Sequence, residues 1–101
     1  MSADALVDRI RTALSGRDVR EVSMFGGISF MVDGRLLVSS RRGGDLLVRI
    51  DPARREQLLA LPGVSPAEMR TGRRMGDAWV VVAAEHLDGD HLGEWLALAD
   101  G

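Results

Sequence analysis

Cysteine, lysine and tyrosine are all missing from this chain of 101 residues. Without cysteine there are no disulfides, no thiolate metal sites and no cysteine nucleophile. Without lysine, all 13 basic residues are arginine, so any basic patch presents planar forks suited to carboxylate or phosphate. Two tryptophans and two phenylalanines are the whole aromatic complement. That is too few for a base-stacking platform, and core packing is the expected role of Trp79 and Trp95. No apolar run is long enough to cross a bilayer, and the first residues lack a signal-peptide core. Cytoplasmic residence is therefore expected. A net charge of −2 gives no global reason for nucleic-acid binding.

What is present is ordinary for a globular protein: 46% apolar and 28% charged residues. With no internal repeat, low-complexity tract or linker, residues 1–101 read as one domain. Leu6, Ile10, Ala13 and Leu14 recur on one face of a first helix that Gly16 stops. Residues 18–23 are mixed in character and read as either a loop or a short strand. Residues 28–32 and 35–39 flank Asp33-Gly34, a two-residue hairpin signal of type I′. Read literally, that turn opposes Val32 to Arg35, Met31 to Leu36 and Phe30 to Leu37. Apolar pairs then fall on both faces, so helices cover one face and another element or a partner covers the second.

Residues 46–50 predict a third strand with Leu46, Val48 and Ile50 inward and Arg49 outward. Asp51-Pro52 opens a helix whose buried edge is Leu58, Leu59 and Leu61, and Pro62-Gly63 ends it. Residues 68–71 and 78–84 read as a second hairpin. Asp88 is expected to cap a last helix with a buried stripe of Leu92, Trp95, Leu96 and Ala99. The order α-β-β-β-α-β-β-α indicates an α+β fold. It is a two-layer sandwich whose antiparallel sheet has about five strands, with helices on one face.

Several residues resemble the signature of the TfoX/Sxy N-terminal domain family. They are Met24-Phe25-Gly26-Gly27 with the following Asp33-Gly34 turn, Leu46-Leu47-Val48-Arg49 before a helix, Thr71-Gly72-Arg73 with Met75, Trp79-Val80-Val81-Val82, and Glu94-Trp95 on the last helix. The resemblance implies a two-layer sandwich similar to secretion chaperones, and no catalytic residues to carry over. Longer family members add a helical C-terminal domain, so this chain is expected to be a stand-alone N-terminal domain.

Candidate chemistry is sparse. Gly26-Gly27 has the backbone freedom of a phosphate cradle, but no Walker lysine or third glycine accompanies it and a strand follows, which favours a structural role. His86, Asp88, Asp90 and His91 are metal-ligand types, yet the histidines lack i, i+4 spacing, and a solvated helix start explains them. Ser29, Ser39 and Ser40 have no nucleophile elbow or recognisable base. The carboxylates are scattered singly. An enzyme is disfavoured, and no cofactor or metal is expected.

Arginine carries the most suggestive pattern. Arg41 and Arg42 sit in one turn and Arg73 and Arg74 in another, with Arg35, Arg49 and Arg70 nearby in sequence, while acids such as Glu85, Asp88, Asp90 and Glu94 collect towards the C-terminus. If the two turns share one end of the sheet they form a basic edge, unless those acids neutralise it. The leading expectation is a non-enzymatic interaction module that binds a protein partner or a second copy, with a regulatory role in transcription implied by the resemblance. The alternative is a nucleic-acid-binding domain using Arg41, Arg42, Arg73 and Arg74 on phosphates. A third reading is a small-ligand or enzymatic domain with a concave pocket.

Overall fold

The computed structural model describes residues 3–24, 27–41, 43–67, 76 and 78–100, with backbone alone considered at positions 3, 24 and 100. Three helices and six strands lie within them: α1 (Ala3–Ala13), β1 (Val19–Met24), β2 (Gly27–Val32), β3 (Arg35–Ser40), β4 (Leu46–Arg49), α2 (Arg55–Leu59), β5 (Val64–Pro66), β6 (Trp79–Val82) and α3 (His91–Asp100). Short 3-10 turns precede α2 at Pro52–Arg54 and α3 at Ala84–His86. The strands form one antiparallel sheet in the order β1-β2-β3-β4-β6-β5. The fold is α+β, as the sequence predicts.

Strand β1 is additional to the five strands expected, and forms where residues 18–23 read as either a loop or a short strand. Its mixed sequence reflects an edge position, where Arg20, Glu21, Val22 and Ser23 are all exposed. The Asp33-Gly34 turn forms with positive φ at both residues, 52° and 83°, the geometry a type I′ hairpin requires. Beyond it the register departs from the literal reading. Met31 opposes Leu36 as expected, but Phe30 opposes Val38 instead of Leu37. Leu37 is the extra residue of a β-bulge, which lets the neighbours Leu37 and Val38 both enter one core.

That core lies between the sheet and the helices. Leu6, Ile10 and Leu14 of the first helical segment, Leu58 of α2, and Leu92 and Leu96 of α3 meet Phe30, Val38, Leu46, Val48, Val80 and Val82. Ala13 is exposed, and Val7 is buried in its stead because the buried stripe leans that way. Ile50 is inward with Leu46 and Val48, as the alternation requires. On the second face Leu47, Ala67 and Val81 form a smaller cluster with Trp79 packed against it. Leu47 is completely buried there, so the chain itself covers the middle of this face.

The strand paired with β6 is Val64–Pro66; the expected strand over residues 68–71 lies outside the described residues. Two boundaries differ from expectation. Helix α2 stops at Leu59, with Ala60 closing it, which leaves Leu61 outside the helix and 46% exposed instead of buried. Helix α3 begins at His91, so Asp88 is not its cap. Asp90 holds the capping position, its carbonyl accepting from the Glu94 N–H at 3.1 Å, while the Asp88 carbonyl accepts from the His91 N–H. The expected cap at Asp51 does form: its Oδ1 accepts the Ala53 N–H at 3.0 Å, with Pro52 next in the first turn.

Candidate functional site

The first arginine turn joins β3 to β4. The Arg41 N–H donates to the Asp45 carbonyl at 2.8 Å and the Gly44 N–H donates back to the Arg41 carbonyl at 3.0 Å. Asp45 then accepts the Ala84 N–H on Oδ1 at 3.1 Å, tying the turn to the segment after β6. Arg41 is half-buried, and among the described residues no carboxylate pairs with its guanidinium. Arg42, Arg73 and Arg74, and with them Arg70, lie outside the described residues.

The ladder nevertheless settles where the two connections are anchored. Ser40 opposes Leu46, and Leu46 opposes Val82, so the 41–45 turn sits at that end of the sheet. The connection from β5 to β6 leaves at Pro66, opposite Val80, and returns at Trp79, opposite Arg49. Its anchors are at the other end. The end that does adjoin Arg41 is the β1–β2 connection, since Ile28 opposes Ser40.

Gly27 shows why. A Cβ there would overlap the Ser40 carbonyl and crowd the Arg41 backbone. Glycine lets the start of β2 lie against the end of β3, a structural demand that leaves no need for a phosphate cradle. Phe25 and Gly26 of the same motif lie outside the described residues, and Met24 is the last residue of β1. The three serines serve the same seam. Ser29 and Ser39 are fully buried with their hydroxyls 3.0 Å apart, and Ser39 and Ser40 both donate to the Ile28 carbonyl. These hydroxyls are occupied in joining β2 to β3.

The acidic and histidine-bearing segment separates into two uses. Asp88 and Asp90 are exposed, and among the described residues no three metal-ligating side chains come together. His86 and His91 instead border a cleft between α2 and α3. Its volume is about 350 Å³, and its walls are Leu58, Leu61, Pro62, Trp95 and Leu98, with His86, His91 and Glu94 supplying polar groups. The His86 ring lies so close to Gly63 that a Cβ there would overlap it, which seats the imidazole against the turn after α2. His91 Nδ1 is 3.0 Å from the Asp88 carbonyl. A carbonyl only accepts, so Nδ1 is the donor in this contact.

Sequence reasoning misses this cleft. It treats Leu61 as core and Trp95 as a stripe residue, whereas Trp95 is half-buried, packing on the core while lining the cleft. A wider groove of about 730 Å³ runs between α1 and α3, with Asp8, Asp90 and Glu94 on its walls. Arg9 spans it: its guanidinium donates to the Leu87 carbonyl at 2.7 Å and the Gly89 carbonyl at 2.9 Å. A shifted titratable pair, Arg11 and Glu21, lies elsewhere, where α1 meets the sheet edge. Arg11 grips Glu21 through two hydrogen bonds of 2.8 and 2.7 Å. That contact raises the arginine and lowers the carboxyl, with burial opposing both shifts.

The model of the TfoX N-terminal domain family matches residues 13–100, which takes in the whole sheet, α2 and α3 and begins at the last residue of α1. The chain belongs to that family. No curated protein and no solved structure matches it. In this TfoX N-terminal domain, then, the family's glycine and hairpin residues Gly27, Asp33 and Gly34 are accounted for by backbone geometry, and the apolar cleft is set by Leu58 near the end of α2, the turn that follows it, His86 and the side chains of α3.

Proposed function

We propose that this TfoX N-terminal domain is a non-enzymatic interaction module that captures a protein segment in the cleft between α2 and α3. One observation carries the reading: Leu61, 46% exposed, stands beside Pro62, Trp95 and Leu98 at the mouth of an apolar cleft with three polar side chains. An apolar centre with an aromatic wall and a polar rim is the anatomy of a protein-binding hot spot. The size suits one or two anchoring apolar side chains of an incoming segment. His91 offers an imidazole edge and Glu94 a carboxylate to orient it. A role in regulation, including transcription, is the family-level part of the same proposal.

The test is retention of partners by the immobilised domain from nuclease-treated lysate, with Leu61→Glu and Arg41→Glu as paired variants. The cleft reading expects a reproducible partner that Leu61→Glu loses and Arg41→Glu keeps. The reverse pattern would move the interface to the 41–45 turn.

The nucleic-acid reading keeps one supporting observation, the absence of a carboxylate partner for Arg41 among the described residues. It expects affinity for duplex or single-stranded nucleic acid that collapses steeply with salt and with Arg41→Glu. Salt-insensitive capture of protein would dismiss it.

A further inference from the structure

The two edges of the sheet are built differently. Strand β5 has three residues and ends on Pro66, and shortness and proline are both devices that blunt an edge. Strand β1 has six residues, no proline, and pairs with β2 along its whole length without a bulge. Among the described residues nothing pairs with its outer side, and positions 20–23 are all exposed.

The hydrogen-bond phase says which groups are on offer. The Asp33 N–H donates to the Asp18 carbonyl, and the pairs Arg20–Met31 and Val22–Ser29 follow in the same phase. Arg20 and Val22 therefore turn their backbone groups towards β2, while Val19, Glu21 and Ser23 turn theirs outward. Side-chain alternation puts Val22 on the sheet's second face, where it is one of the two exposed large apolar residues among those described. The other, Leu61, lines the cleft.

We infer that β1 is a self-association edge: two copies of this chain join β1 to β1, antiparallel, with Val22 on the two-fold axis. The choice of occupant rests on self-complementarity. A two-fold pairing centred on Arg20 or on Glu21 sets like charges face to face, which is unfavourable. Centring on Val22 instead sets valine against valine, Glu21 against Ser23 and Arg20 against Met24. The outward N–H and C=O groups of Glu21 and Ser23 then exchange four backbone hydrogen bonds across the axis. The two sheets become one, and Val22 is removed from water. This contact is separate from the cleft, so it stands whether or not the cleft binds a partner.

The absence of native cysteine allows a clean test, because one introduced thiol is the only thiol. Facing Val22 residues would form a non-hydrogen-bonded pair with Cα atoms about 4.5 Å apart, within disulfide reach. Arg20 and its symmetry mate would be four residues apart along the strand, roughly 13 Å. The expectation is that wild type shows a concentration-dependent dimer by sedimentation velocity and that Val22→Cys cross-links under mild oxidation while Arg20→Cys does not. Ser23→Pro, which deletes an outward N–H and spares the β1–β2 ladder, should abolish the dimer; so should Val22→Asp, which places two carboxylates on the axis. Wild type that is monomeric across the series overturns the inference. Cross-linking of Arg20→Cys in place of Val22→Cys, or a Val22→Asp variant that still dimerises, also overturns it.

Discussion

At the residue scale, two positions show how a single side chain, or its absence, is dictated by a neighbour far along the chain. Gly27 is required because the Ser40 carbonyl occupies the place of a Cβ. Gly27→Ala should cost about 1–3 kcal/mol, at the upper end because backbone must move and a flexible side chain cannot simply turn aside. Equilibrium denaturation measures it, and a neutral result would mean that the β2–β3 seam is looser than described. Glu21 is the second case, with its carboxyl held below the usual range by Arg11. A lowered folded-state value means the pair stabilises above the unfolded carboxylate pKa and loses its effect as pH falls through the folded value. Glu21→Gln should therefore lower the thermal midpoint at neutral pH, with the gap to wild type closing in acid and shrinking in high salt. A gap that widened on acidification would contradict the assigned pairing.

At the element scale, the joints matter more than the elements. The bulge at Leu37 converts an alternating strand into one that sends two successive residues to the core. The Arg9 guanidinium holds α1 to the segment before α3 through the Leu87 and Gly89 carbonyls. Because a charged donor lost from a partly buried carbonyl leaves it unsatisfied, Arg9→Met should destabilise by about 1.5–3 kcal/mol. Hydrogen exchange is expected to accelerate first in α1 and at the start of α3. Uniform acceleration over the whole sheet would mean that Arg9 is not a local strap.

At the scale of the whole molecule, the sheet is buried at its centre on both faces, though the helices cover only one. Leu46 and Leu47 are adjacent, fully buried, and on opposite faces. Truncating either to alanine should cost about 2–5 kcal/mol. Were the second face solvated, Leu47→Ala would cost far less. Leu61 provides the contrast, an apolar side chain that the core does not use. Leu61→Glu should change stability by no more than about 0.5 kcal/mol, so its effect on partner capture can be read without a folding artefact.

The sequence by itself determined the α+β class, the Asp33-Gly34 hairpin, the Asp51 cap, the inward set of Leu46, Val48 and Ile50, and the family, because each follows from local backbone preference or from a short motif. Tertiary structure alone decided the remainder. Strand β1 exists through its ladder with β2 despite its polar mixture, and Leu61 lies outside because the chain turns at Ala60. The arginine-rich connections are anchored at opposite ends of the sheet because register, which no local signal encodes, sets those ends. The cleft was invisible for the same reason: Leu58 and Leu61 meet Trp95 and Leu98 only after the sheet has brought α2 and α3 together. Local sequence specifies how each segment bends; which segments then meet depends on long-range pairing and burial.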